Sequence, residues 1–112
     1  MTYYEVFERV KQEVAKYDVS DYKGHLAVQV NITGEGEGAF YVELINGTIN
    51  PQPYEYYDRD ILITVNSGDL MAILNRNLDP VFAFSIGKVK VSGDIGRVLE
   101  MKRVIKKHNI KW

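Results

Sequence analysis

Ala83-Phe84-Ser85-Ile86-Gly87-Lys88-Val89-Lys90-Val91-Ser92-Gly93-Asp94 is the stretch whose reading decides the architecture. An apolar helix runs into Gly87, a residue that takes positive φ without a Cβ penalty and so closes helices. Lys88 to Ser92 then alternates basic or polar with apolar residues, the period of a strand exposed on one face. After Gly93, Asp94 stands where a helix N-cap is needed, ahead of Ile95, Val98, Met101 and Ile105 along one side of a last helix. A short strand held between two helices is thus the unit from which the rest is read.

Upstream, Asp79-Pro80 opens the helix that ends at Gly87, Asp as cap and Pro where its missing N–H costs nothing. That helix carries Val81, Phe82, Phe84 and Ile86, and is apolar on several sides. Before it lies a short helix with Asn66 or Ser67 as cap, Asp69 near its positive end, and Leu70, Ile73 and Leu74 inward. Ile61-Leu62-Ile63-Thr64-Val65 is apolar enough for a central strand. Thr48 to about Gln52 is another strand, but Pro51 and Pro53 cannot donate to a ladder and send it to a sheet edge. Asn46-Gly47 is a type I′ hairpin signal. Phe40, Val42 and Leu44 alternate before it, and Leu26, Val28, Val30 and Ile32 alternate before the Gly34–Gly38 turn. At the N-terminus Val6, Val10 and Val14 recur every four residues, with Phe7 and Tyr17 beside them. This stripe fits a helix packed on a core, or one that peels off to touch a membrane.

Helix, four strands, two short helices, strand and helix is an α+β order, with helices expected on one sheet face. Residues 1–112 are expected to form one domain. Hydrophobic residues make up 46% and charged residues 26%, a globular balance. With 0 cysteines the chain has no disulfide, no thiolate nucleophile and no thiolate-bound metal. A net charge of -1 argues against a general nucleic-acid binder. The first residues lack the basic and apolar regions of a secretory signal, and the ending Asn109-Ile110-Lys111-Trp112 is not a peroxisomal address, so a cytoplasmic location is expected.

Catalytic chemistry finds little to stand on. His25 and His108 are the only imidazoles, one opening a strand and one late in a helix, with no metal-ligand spacing between them. Ser20, Ser67, Ser85 and Ser92 lie outside any nucleophile elbow. Gly34-Glu35-Gly36-Glu37-Gly38 lacks the Lys-Ser/Thr ending of a phosphate loop, and its glutamates would repel phosphate. Asp58-Arg59-Asp60 reads as loop solvation, because nothing splits the two carboxyl environments. No enzyme activity, metal or cofactor is expected. Tyr54, Tyr56 and Tyr57 could rim a ligand or cover a sheet edge. Lys102, Arg103, Lys106 and Lys107 cluster late in the last helix, with Lys111 beyond. There they suit the negative helix end, or attract anionic lipid.

Several blocks occur together in the order of a known family: Tyr41-Val42-Glu43-Leu44 with Asn46-Gly47, Asp60 to Val65, Asp69-Leu70, Leu78-Asp79-Pro80 and Ala83 to Asp94. The chain resembles the sterol-carrier-protein (type two) family over almost its whole length. Tyr41 stands where the family commonly has Trp, and Arg76-Asn77 replaces a usual Gly-Lys. The resemblance implies a five-stranded, mostly antiparallel sheet with helices on one face, enclosing an apolar tunnel. It implies non-catalytic binding of a fatty acid, acyl-CoA, phospholipid, sterol or isoprenoid lipid. The positions matching the tunnel lining are Phe40, Val42, Leu44, Ile63, Leu70, Ile73, Leu74, Phe82, Phe84, Ile86, Val98, Met101 and Ile105. Lys102, Arg103, Lys106 and Lys107 are the candidate membrane-docking residues. The expected partners are a lipid and, transiently, a membrane surface, with the protein a monomer or weak homodimer. The residues also leave a different class open, a protein-interaction or accessory module with a filled core.

Overall fold

Asn46 and Gly47 adopt φ values of 50° and 82°, the paired positive dihedrals of a type I′ hairpin turn. This turn fixes the register between its flanking strands. A computed structural model describes residues 1–107; His108 and Lys111 lie outside the described residues. The elements are α1 (Tyr3–Val14), β1 (His25–Thr33), β2 (Gly38–Ile45), β3 (Thr48–Gln52), β4 (Ile61–Asn66), α2 (Ser67–Leu74), α3 (Pro80–Ser85), β5 (Val89–Gly93) and α4 (Ile95–Lys107). The five strands form one sheet in the order β3-β2-β1-β4-β5. Only β1 and β4 run parallel; the other neighbours are antiparallel.

Register turns the alternating sequence into one apolar face. Leu26 pairs with Leu44, Val28 with Val42 and Val30 with Phe40. On the other side Val28, Val30 and Ile32 meet Ile61, Ile63 and Val65. Side chains of paired residues share a face, so these residues line one side of the sheet together. Val6, Phe7 and Val10 of α1 complete the buried cluster, and Leu70, Met71 and Leu74 of α2 pack against it. The strand with Pro51 is an edge, as its missing donor requires. Gly93 does more than break a strand. It pairs with Ile61 inside the ladder, and a Cβ there would lie 2.4 Å from the Asp60 carbonyl oxygen.

Each described helix start has a chemical cap. Thr2 and Glu5 form a reciprocal capping box on α1: Glu5 N donates to Thr2 Oγ1 at 3.2 Å and Thr2 N to Glu5 Oε1 at 2.8 Å. Asn66, rather than Ser67, caps α2, and Asp79 caps α3 ahead of Pro80. The Asp94 carboxylate accepts from Arg97 N at 3.1 Å at the head of α4. Helix ends are equally specific. Lys88 N to Ala83 O at 2.9 Å and Gly87 N to Phe84 O at 3.1 Å make a Schellman close at Gly87.

The same close ends α2, with Asn77 N to Ala72 O at 2.8 Å and Arg76 N to Ile73 O at 3.0 Å. Here the left-handed residue is Arg76, at φ 64°, where glycine would carry no Cβ cost. An ion pair offsets that cost: Arg76 Nη2 lies 3.2 Å from Glu13 Oε2 on α1. Glu13 is buried, and it also holds Arg9 at 3.1 Å and accepts from Tyr17 at 2.8 Å. Arg9 in turn donates to Leu74 O at 2.9 Å. A buried carboxylate therefore clamps α1 to the end of α2.

Burial works against the charged form of Glu13, but hydrogen bonds from Tyr17 and Arg9 and the charges of Lys16 and Arg76 outweigh it. Its carboxyl titrates below the ordinary glutamate range. A depressed folded pKa contributes stability that is complete above about pH 4.5 and is lost as pH falls through the folded value. Glu13→Gln is expected to lower stability by about 2 kcal/mol at neutral pH. Thermal melts from neutral pH down to acid should then show a shallower acid slope in the variant than in the wild type.

Candidate functional site

The face of the sheet away from the helices is polar and closed by one tyrosine. Gln29, fully buried there, accepts from Tyr56 N at 3.0 Å and donates to Asn31 Oδ1 at 2.9 Å. The Tyr56 ring packs edge-on to Tyr41 with centroids 5.0 Å apart. Its hydroxyl donates to Glu43 Oε2 at 2.9 Å, and His25 Nε2 lies 2.6 Å from the same oxygen. The bond to Glu43 raises the Tyr56 pKa. The tyrosine run therefore divides. Tyr56 covers the sheet, while Tyr54 and Tyr57 stand in solvent, Tyr57 at 94% exposure. Among the described residues no group of three or more His, Cys, Asp or Glu is placed to hold a metal.

On the helical face the thirteen candidate lining residues fall into tiers. Phe40 and Leu44 are buried in the core. Val42, Ile63, Leu70, Leu74, Val98 and Met101 are half-buried against it, and Ile73 is half-buried as well. Phe82, Phe84, Ile86 and Ile105 are exposed, at 55%, 50%, 49% and 39%. At these four expected lining positions the side chain is about half open to solvent. The reason lies in α3: its single buried residue is Ala83, so the helix turns its smallest side chain inward and its phenylalanines outward. Neither of two hollows on the described surface is lined by Phe82, Phe84 or Ile86. One, about 180 Å³, lies among Asp21, Tyr22, Glu100, Arg103, Val104 and Lys107. The other, about 280 Å³, is bordered by Thr33, Thr64, Asn66, Asp69, Lys88 and Lys90. Both are smaller than the roughly 300–1,000 Å³ of ordinary ligand pockets.

α4 is the least anchored layer. Val98, Met101 and Val104 face the core, yet no residue of the helix is fully buried. Ile95 and Leu99, 77% and 48% exposed, point away, which corrects the expected side Ile95-Val98-Met101-Ile105. Polar contacts hold the helix instead. Asp60 Oδ2 accepts from Ala27 N at 2.8 Å and from Arg97 at 3.3 Å. Arg97 also donates to the His25 carbonyl and, at 2.7 Å, to Glu100. Glu100 accepts a hydrogen bond from the Tyr22 hydroxyl. Asp60 is thus structural rather than a solvated loop residue. Its signal in the sequence was position alone, directly before a central strand. Lys102, Arg103, Lys106 and Lys107 are all exposed, and Lys107 pairs with Asp21. No helix among the described residues is long and apolar enough to cross a membrane.

Residues 4–106 match the model of the SCP-2 sterol transfer family. The chain belongs to that family. The solution structure of palmitated SCP2L2 from Aedes aegypti is similar to it, with a TM-score of 0.70 at 27% identity, covering 96% of this chain and 97% of that one. The crystal structure of Sterol Carrier Protein 2 Like 2 from the same species aligns at a TM-score of 0.69 and 26% identity, over 90% and 94% of the two chains. Among curated proteins, Hydroxysteroid dehydrogenase-like protein 2 of Xenopus tropicalis is 27% identical over 108 residues. That match takes in 96% of this chain but only 25% of the relative, so the chain spans about a quarter of that protein. The SCP-2 fold is a lipid-binding one, and binding or transfer of lipid in general is what this chain shares with its family.

The clasp on α4 has a pH signature. Burial first, and the hydrogen bond to Glu100 second, push the Tyr22 hydroxyl up to about 12. A raised folded pKa contributes stability below the unfolded value near 10, and that contribution is lost as pH climbs through about 12. Tyr22→Phe is expected to cost about 1–2 kcal/mol and to speed amide exchange selectively across residues 95–107. Hydrogen-exchange mass spectrometry at neutral pH checks this.

Proposed function

We propose that this chain binds a hydrophobic lipid without transforming it, and carries it between surfaces in a cytoplasmic setting. The observation that carries the reading is the exposure of Phe82 and Phe84 of α3 and of Ile86 at its C-cap, each about half open to solvent, in a chain of the SCP-2 family. Soluble folds seldom leave such side chains together in water unless something covers them. The ligand would be a fatty acid, acyl-CoA, sterol-like or isoprenoid lipid. Its apolar part would lie against α3, the inner side of α4 and the core-facing residues Val42, Ile63, Leu70, Ile73 and Leu74. An acyl chain contributes about 0.8 kcal/mol for each CH₂ removed from water, so chain length sets affinity more than polar contacts do. A palmitated structure exists for a relative 27% identical to this chain, which supports a fatty-acid ligand. Entry of a long chain would require α4 to move, and its polar clasp is compatible with that. The protein would act as a monomer or weak homodimer.

A second reading, an interaction or accessory module with a filled core, is favoured by the small volumes of the two hollows. The quarter-length match to Hydroxysteroid dehydrogenase-like protein 2 is consistent with an accessory role beside an enzyme. Native mass spectrometry of freshly purified protein separates the readings. The lipid reading expects a co-purified lipid and displacement of a fluorescent fatty acid by long-chain competitors. Phe82→Ser with Phe84→Ser should weaken that binding by about tenfold or more. Absence of binding across fatty acids, acyl-CoA, sterols and isoprenoids would sink it.

A further inference from the structure

The outward side of α4 forms a surface that takes no part in the proposed lipid contact. With Val98, Met101 and Val104 turned to the core, Ile95, Leu99, Lys102 and Lys106 follow one another along the opposite side at helical spacing, with Arg103 beside them. Ile95 is 77% and Leu99 48% exposed. The helix's one acidic residue, Glu100, is bound to Arg97 and Tyr22. Among the described ion pairs none involves Lys102, Arg103 or Lys106. Lys102 and Lys106, with Arg103 at the flank where it borders Asp21 and Glu100 across a hollow, make a local positive field on a chain of net charge -1. The other amphipathic helix, α1, has no such face to offer. Its stripe of Val6, Phe7 and Val10 is buried, and Glu13 clamps it to α2.

We propose that this outward side of α4 docks the protein on an anionic lipid bilayer. Ile95 and Leu99 enter the headgroup boundary, while Lys102, Arg103 and Lys106 meet the lipid anions. The pattern is that of an interfacial helix, apolar and basic side chains together on the surface presented to lipid. A protein partner fits it less well: protein interfaces centre on aromatic anchors and are poor in lysine. The inference rests on the lipid-carrier reading for its purpose, since docking by α4 would bring the loosely anchored helix to the bilayer from which lipid is drawn. Its physical basis stands separately.

Vesicle sedimentation of the full chain tests it. Binding is expected to phosphatidylcholine vesicles containing phosphatidylserine, and not to phosphatidylcholine alone. It should weaken with added salt, as screened attraction does. Lys102→Gln, Arg103→Gln and Lys106→Gln should each reduce partitioning about fivefold, and Ile95→Ser with Leu99→Ser about tenfold, with the melting temperature unchanged. Should the serine variant unfold, the Lys106→Gln variant and the wild-type salt series decide alone. Equal binding to neutral vesicles, or full binding by the variants, overturns the proposal. So does a dimer in light scattering that the serine substitutions abolish, which would assign the surface to a second copy. Vesicle binding by a protein that takes up no fluorescent fatty acid would leave docking standing and remove the carrier reading instead.

Discussion

The parallel pairing of β1 with β4, from Val28 against Ile61 to Thr33 against Asn66, is the constraint on which the rest of the structure depends. Parallel neighbours cannot be joined by a tight turn. After the β1-β2-β3 meander the chain must therefore cross the sheet before starting β4. It crosses on the polar face, where Tyr56 and Gln29 receive it. That choice leaves the apolar face free for helices. It also places Asp60 where it accepts from Ala27 on β1 and from Arg97 on α4.

Two kinds of attachment follow on the helical face. α1 is joined by buried apolar side chains and by a buried carboxylate shared with α2, so its position is set by packing. α4 is joined mainly through Arg97 and Glu100, with its apolar residues only half covered. Loss of one polar contact costs far less than unpacking a core, and regions of low anchoring open first. The proposed lipid carrier would use this inequality, with a rigid sheet to hold its shape and a layer able to yield to a guest. α3 buries Ala83 and leaves its phenylalanines half exposed.

Arg76 illustrates how a departure from the family pattern is accommodated. A left-handed helix close normally asks for glycine, and the penalty for a side chain is about 1–2 kcal/mol. The guanidinium reaches Glu13, so the same residue that strains the backbone completes the α1–α2 clamp. Tyr41, where the family commonly has tryptophan, finds its partner on the polar face in Tyr56. Neither Arg76 nor Tyr41 is among the exposed apolar residues of α3.

Local chemistry was written in the sequence. The Asn46-Gly47 turn, the Asp79-Pro80 start, Gly87 as a close, Pro51 at an edge and the alternating strands all follow from dihedral preference and period, which depend on near neighbours only. The family could be read from blocks such as Ala83 to Asp94, whose spacing reflects element lengths. What needed the tertiary structure was direction. Periodicity places Phe82, Phe84, Ile86 and Ile105 on helices, but how far a helix is rolled toward its sheet depends on which small residue fits beneath, here Ala83. Likewise Ile95, expected on the inner side of α4, stands in solvent while Val104 packs on the core, and the Arg97–Asp60 contact that ties the helix down is recorded by no pattern along it. Asp60, Gln29, Glu13 and Tyr22 gain their roles from partners distant in sequence, and only folding brings those partners within hydrogen-bond reach.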